Sequence, residues 1–589
     1  MKRFLILFFV VFCSASFGQN NFMLGENYYR QGEYEKATQI YKTLYDKSPY
    51  NTTYLKRLIS CYQETDDFLL AEKLLQKRLK RQPTLTYLNV LLGYNFERQQ
   101  KKELANQYYN NAINSISKNP SYGGIVGRMF KDYNLLDQAV SVFKKTMVLN
   151  PNADYNFQIA QIYGEQGKFE EMFNSYVDLV DKNPKNVTFM KRFASKYITE
   201  DAQNETNTLL KKALLRKAVS KPKNVWNELL SWLFAQQKDY GKAFNQEKAI
   251  YQRDKGDLSK ISELGLVAFD NLDYDATTKC FSYIIENTTF IEEKVEAHLY
   301  LLKVAIAKKD DEVENKFKTV FKQFGENTNT INLQSEYADY LTFEKNEPLQ
   351  AKKVLNKALK LTKNKFQKAK IKLKLGDVLV FTGKFNKALI YFSQIQTQLK
   401  NHPLAQEARF KVAQTSYFKG DFKWAKTQLK ILKGSTTQLI ANDAADLFLT
   451  ITDNEPIDSI PSGLKEFAQA DLFSYQNKNQ EAMVLLDTVL SKYKGMPIES
   501  KSHFNKGKLF VKSKQYDLAI SSFEKTILAD QTEIFKDDVY YQMAELYNYH
   551  LNNPEKAKEY YQKIIFEHPS SIYLVDARKK FRKLRGDTI

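Results

Sequence analysis

The chain has 589 residues, 43% hydrophobic and 26% charged, with a formal net charge of +20. That length exceeds what one compact core supports, and the ordinary apolar content excludes wholesale disorder, so several domains or one elongated array is expected. The 37 Tyr and 40 Phe, set against only 13 Pro and 21 Gly, favour long helices joined by short turns.

Residues 1–18 are a different kind of sequence. Lys2 and Arg3 supply a positive start, Phe4 through Phe12 is an unbroken apolar run, and Ser16 and Gly18 are small residues ahead of Gln19. This is the layout of a cleaved secretory signal peptide, and the run is too short to span a bilayer. Phe12 stands before Cys13, where processing to a lipid anchor would take a small residue. Loss of Lys2 and Arg3 leaves the chain basic, which suits an anionic surface or an acidic protein. An exported chain has little occasion to meet nucleic acid. Cys61 and Cys280 remain. Two cysteines are too few for a disulfide framework and read as small buried hydrophobes.

From residue 24 onward the sequence repeats. Leu24, Gly25, Tyr28, Gly32, Tyr34, Ala37, Tyr41 and Pro49 find counterparts in Leu58, Tyr62, Phe68, Ala71 and Pro83, then in Leu92, Gly93, Phe96, Ala105 and Tyr109. Gly127, Phe130, Ala139, Phe143 and Pro151 follow, then Ile159, Ala160, Tyr163, Gly167 and Tyr176. Ala37, Ala71, Ala105 and Ala139 are each 34 residues apart, as are Pro49 and Pro83. Leu24, Gly25 and Tyr28 fall on one face of a helix. Gly25 admits a close partner helix, Gly32 suits a left-handed helix end, Ala37 sits where two helices cross, and Tyr41 fills the gap beside it.

These residues and their spacing resemble the tetratricopeptide repeat family, whose unit is a helix pair of 34 residues. The resemblance implies an all-α, α-solenoid fold, a right-handed superhelix of tandem helix hairpins with a concave groove lined mainly by the first helix of each pair. It also implies binding rather than catalysis, with no cofactor and no metal. The aromatic- and lysine-rich composition and the leader ending Ser16-Phe17-Gly18 further resemble exported members of this family in Bacteroidota. That likeness implies the periplasm or the periplasmic face of the outer membrane, and a part in envelope assembly, secretion or gliding.

Further along, the N-terminal block 19–185 gives way to a divergent stretch, 186–330. There Trp226, Leu230, Tyr240 and Ala243, then Leu264, Gly265, Tyr274 and Phe281, mark recognisable units, while 187–222 and 290–330 match poorly. In 331–433 the period lengthens to 37, from Ala351 to Ala388 to Ala425, and longer helices or loops are expected. Gly376, Gly383, Phe385 and Phe392 belong to one of these units. The next step, Ala425 to Ala482, is 57. The excess falls in 434–463, as an inserted helix at Asn442–Ile451 followed by a linker. A C-terminal block, 464–589, ends in the basic run Arg578–Arg585, which suits a polar cap. Twelve to fourteen pairs are expected in all.

Carried over from the family, the groove-facing positions are Tyr29, Arg30, Lys56, Tyr94, Arg98, Arg128, Lys131 and Gln161, a cationic and aromatic set suited to partner proteins or peptides carrying acidic groups. A subtype of the family clamps a terminal carboxylate with Lys and Asn. Lys56 fits, but Ser60 stands where the Asn would be. A second candidate is the lysine-rich stretch 352–374. Between Glu347 and Asp377 it carries no acidic residue. Its Lys363, Lys365, Lys368, Lys370, Lys372 and Lys374 would make a basic patch for acidic polysaccharide or an anionic membrane surface. The five histidines are scattered, and no His-Glu-x-x-His, Cys-x-x-Cys or phosphate-binding glycine loop occurs, so no enzyme is expected. An enzyme of cell-wall turnover would need a compact catalytic domain for which the repeats leave no room.

Overall fold

A computed structural model of the chain describes residues 21–432, 438–456, 461–530 and 536–587. The expected leader, 1–18, lies outside the described residues, as do parts of 434–463. The protein is an all-α solenoid: among the described residues fifteen helix pairs follow in tandem, more than the twelve to fourteen expected because the poorly matching stretches are paired helices as well, and no strand occurs. No described helix is long and apolar enough to cross a membrane.

The first pair shows how the sequence builds the unit. A helix runs through residues 21–30, the chain reverses through Gly32 at φ +77°, and the second helix spans Tyr34–Lys47. Ala37 and Tyr41 are fully buried at the crossing. The expectation that Leu24 shares the inward face does not hold. Gly25 and Glu26 are buried, whereas Leu24, about 100° round the helix from Gly25, is exposed.

Three columns recur. The first is the crossing alanine, buried in every case from Ala37, Ala71 and Ala105 to Ala519 and Ala557. The second is a left-handed residue in the turn, at Gly32, Asp66, Gln100 and Asn134, again 34 apart; most of these lack glycine and so escape a glycine search. The third pairs a first-helix glycine with an aromatic ring sixteen residues later: Gly93 with Tyr109, Gly127 with Phe143, Gly376 with Phe392 and Gly507 with Phe523. A Cβ added to any of these glycines would come within 2.3 or 2.4 Å of the ring. Only a bare backbone lets these helices close on so large a side chain.

The poorly matching stretches are helix pairs too, Val187–Ala194 with Glu205–Ser220 and Ile291–Ala307 with Val313–Phe324. The column had already lapsed at Met172 and lapses again at Thr277, each fully buried where alanine stands elsewhere. The longer period also has its cause. Lys365–Phe381 and Pro403–Lys419, between the alanines of the longer period, each have 17 residues, against 10 in Gly123–Asp132 and Asn156–Glu165. The excess after Ala425 carries a single helix, Gln438–Thr452, of 15 residues.

Two compact units divide the chain. One comprises the residues up to Tyr197 with Thr208–Trp226, the other Ile198–Asn207 with Asn227–Ile589. Within the second unit, continuous clusters of buried side chains link neighbouring pairs, from Leu299 to Val378, Ala413 to Leu509 and Ala519 to Ala577. The two cysteines are free, buried thiols, and burial pushes Cys61 up to about 11 and Cys280 up to about 12.

Candidate functional site

In the first unit the first helices bring several sequence-selected residues together. Eleven residues before each crossing alanine stand Ser60, Tyr94 and Arg128. Tyr94 meets the ring of Tyr133 at 4.5 Å between centroids. Tyr133 also lies beside Ser60 and Tyr29, and burial pushes its phenol up to about 12. Lys56, on the second pair, rests over the Tyr87 ring at 5.3 Å and faces Asp132 and Arg128 of the fourth pair; burial holds its ammonium below the usual lysine range. Residues of pairs one to four thus share one tyrosine-lined surface.

The cations on that surface are not all available to a guest. Arg98 is flanked by Glu64 at 3.5 Å and Asp66 at 3.7 Å, and Lys131 pairs with Glu165 at 2.9 Å. Each of these partners sits one repeat away on the neighbouring first helix or its turn. Arg30 and Arg128 are exposed, and Gln161 is half-buried. Tyr29 lies under the Arg57 guanidinium at 5.2 Å. Arg57 donates two bonds to Glu26, of 2.5 and 2.8 Å, and the Tyr41 hydroxyl donates to the same carboxylate at 2.6 Å. Arg57, Tyr133 and the acidic partners carry no sequence signal of their own, because they tie one repeat to the next and their partners are 30 or more residues away.

The lysine-rich stretch does not form a single patch. Lys363, Lys365 and Lys368 are exposed, and Lys372 donates to Gln394 at 2.9 Å. Lys374 turns the other way and binds Asp339, while Lys370 and Lys374 both act on Glu407. Asp339, surrounded by protein, is pushed up to about 6 by burial despite Lys374. The pattern continues one repeat on, where Lys411 pairs with Asp377 at 3.0 Å, and one repeat back, where Lys303 pairs with Glu336 at 3.4 Å. Lys374 therefore serves a carboxylate ladder between consecutive first helices.

A deep concavity in the second unit was not singled out from sequence. It is a cleft of about 880 Å³, and helices Pro403–Lys419, Gln438–Thr452, Leu464–Tyr475, Ile498–Lys512 and Lys536–Tyr549 all face it. The inserted single helix thus supplies Asp443, Asp446 and Thr450 to the wall as a first helix would. Asp471 accepts from the Tyr417 hydroxyl and from Asn505 Nδ2, each at 2.7 Å, and Asp538 accepts from the Tyr573 hydroxyl at 2.8 Å. Lys501 donates to Asp446 at 2.8 Å and to Thr450. Burial pushes Asp471 up to about 6 and raises Asp443 and Asp538 as well. The signal was present in the sequence: Asp377, Asp471 and Lys508 stand eleven residues before Ala388, Ala482 and Ala519, in the column that holds Ser60, Tyr94 and Arg128.

Among the described residues, no three His, Cys, Asp or Glu side chains converge as metal ligands. No curated protein sequence matches the chain. Three solved structures that align with it are the APC/C hetero-tetramer Cut9–Hcn1, Naa15/Naa10 bound to HypK-THB, and yeast Tom70. Cut9–Hcn1 is 13% identical with a TM-score of 0.26, covering 96% of this chain and 96% of that one. Naa15/Naa10 is 12% identical with a TM-score of 0.32, covering 96% and 88%, and Tom70 is 15% identical with a TM-score of 0.27, covering 96% and 99%. Family models described as tetratricopeptide repeat match residues 20–49, 500–533 and 538–571, so the helix pairs at both ends of the array are tetratricopeptide repeats.

Proposed function

We propose that this protein is a non-catalytic scaffold of the bacterial cell envelope that holds partner proteins or peptides on the inner faces of its tetratricopeptide pairs. The observation that carries this reading is the convergence of successive first helices on shared surfaces: the tyrosine-lined surface of pairs one to four and the 880 Å³ cleft of the second unit. Repeat arrays present such surfaces because each pair buries its apolar side against its neighbour and leaves the first-helix face open. Export to the periplasm or the periplasmic face of the outer membrane is supported by Lys2, Arg3 and the apolar run ahead of Gln19. The resemblance to exported repeat proteins supports a place in envelope assembly, secretion or gliding machinery. Binding of an acidic polysaccharide or anionic membrane through the lysines is the weaker reading, since Lys374 is already bound to Asp339.

The test is crosslinking in living cells with a photoreactive residue at position 94, and a control probe at Val148, an exposed site on a second helix. Discrete adducts from position 94 that are missing from position 148 are expected. Identical adduct patterns from both positions, or no adducts from either, would refute the scaffold reading.

A further inference from the structure

The protein is strongly basic, yet the walls of this 880 Å³ cleft run the other way. Four carboxylates, Asp443, Asp446, Asp471 and Asp538, face three lysines, Lys501, Lys508 and Lys512. Two of those lysines are engaged, Lys501 with Asp446 and Thr450, and Lys512 with the Asn477 side chain at 2.6 Å. Lys508 is exposed and lies over the Phe504 ring at 4.8 Å, so it neutralises Asp471 and Asp538 only through space. Neutral donors hold those two carboxylates in place: Tyr417 and Asn505 on Asp471, and Tyr573 on Asp538. The carboxylates are thus preorganised as acceptors, with less positive charge around them than their burial calls for. Phe410, Phe418 and Phe504 supply aromatic faces on the same walls, and Phe504 already carries a cation.

We propose that this cleft receives an arginine-bearing segment of a partner protein, with the guanidinium between Asp471 and Asp538 and stacked on the aromatic wall. The inference rests on the scaffold reading and gives this surface a specificity opposite to the acidic guests that the chain's overall charge suggests. A planar guanidinium meets two separated carboxylates through its fork of N–H donors and lies flat on rings, which an ammonium does less well. Several hundred cubic ångströms is the size of a site for a short extended segment rather than a single ion. The guest's charge would take up the deficit now left at Asp471, which is faced by Tyr417, Asp446, Lys501, Asn505 and Lys508. Binding should therefore strengthen as the pH rises through about 6, where Asp471 gives up its proton.

The probe is fluorescein-labelled tetra-arginine amide, titrated by anisotropy against the chain from Gln19 onward at 0.15 M salt, with tetra-glutamate as the opposite-charge control. Saturable binding of tetra-arginine is expected despite the protein's positive charge. Asp471→Asn should weaken it about tenfold, equivalent to 1.4 kcal/mol. Lys508→Gln, at an exposed position, should strengthen it several-fold, and Glu555→Gln, on the second helix Pro554–Glu567 away from the cleft lining, should change nothing. Circular dichroism verifies that each variant folds; should Asp471→Asn not fold, the opposite sign expected of Lys508→Gln carries the test. No saturable tetra-arginine binding, equal binding by all variants, or saturable tetra-glutamate binding lost in Lys508→Gln would each overturn the inference. Adducts from position 94 would leave the scaffold reading standing in any of those cases, so the two failures are distinguishable.

Discussion

Gly376→Ala tests the packing rule that makes the pairs. A Cβ at this position would sit 2.3 Å from Phe392 Cε1 and 2.4 Å from Cζ. Ordinary contact needs a further ~1 Å, and the Phe392 ring is fully buried, with nowhere to retreat. Overpacking of this kind costs about 3 kcal/mol, and the better helix propensity of alanine returns about 1, so a net loss of about 2 kcal/mol is expected. Gly25→Ala provides the contrast. There the nearest approach is 3.0 Å, to Tyr41 Cζ, and a few tenths of an ångström suffice, so the substitution should be near neutral. Because repeat arrays open locally, the assay is hydrogen exchange read by mass spectrometry over the peptides of Lys365–Phe381 and Phe385–Gln398. Gly376→Ala should accelerate exchange there by more than tenfold, and Phe392→Leu in the same chain should recover part of it by clearing the ring edge. Equal effects of Gly376→Ala and Gly25→Ala would refute the reasoning, because then the close approach of helix to ring would not be what decides.

Three further outcomes follow. Glu26→Ala should loosen the first pair by about 2 kcal/mol, since it leaves the Arg57 guanidinium and the Tyr41 hydroxyl without their shared acceptor; exchange across Tyr34–Lys47 reports it, and unchanged protection would contradict the assignment. Asp471 holds its proton more tightly folded, at about 6, than unfolded, near 4, so its contribution to stability is complete below about pH 4 and is lost as the pH rises to about 6. Between those values wild type should lose on the order of 1–2 kcal/mol relative to Asp471→Asn in urea melts, and parallel pH profiles would reject the buried carboxyl. N-terminal sequencing of the protein isolated from the envelope fraction should begin at Gln19; a retained Met1 would overturn export by a cleaved leader.

Much of the fold was legible because a 34-residue unit writes its packing into single columns. Ala37, Ala71, Ala105 and Ala139 had to be small where helices cross, and Gly93, Gly127 and Gly376 had to lack a side chain opposite a ring, so spacing alone revealed the pairs. The alanine column fails at Met172 and Thr277, which are fully buried in the same place; opposite Met172 it is Gly164 that leaves the room. The same limit applies to the surfaces. Sequence placed Tyr94 and Arg128 on first helices, but it could not say that Glu64 neutralises Arg98, that Asp339 claims Lys374, or that the unpaired helix Gln438–Thr452 forms one of the walls of the cleft.

The amino-acid order by itself determined the periodic helix pairs, because local size and turn requirements recur at fixed intervals. Which charges meet was decided only by the tertiary structure, since Tyr417, Asp471 and Asp538 come from different pairs and are brought to one cleft by the way those pairs stack. A repeat's sequence fixes its own hairpin; the small rotation from one hairpin to the next, summed over several, sets which distant side chains face each other.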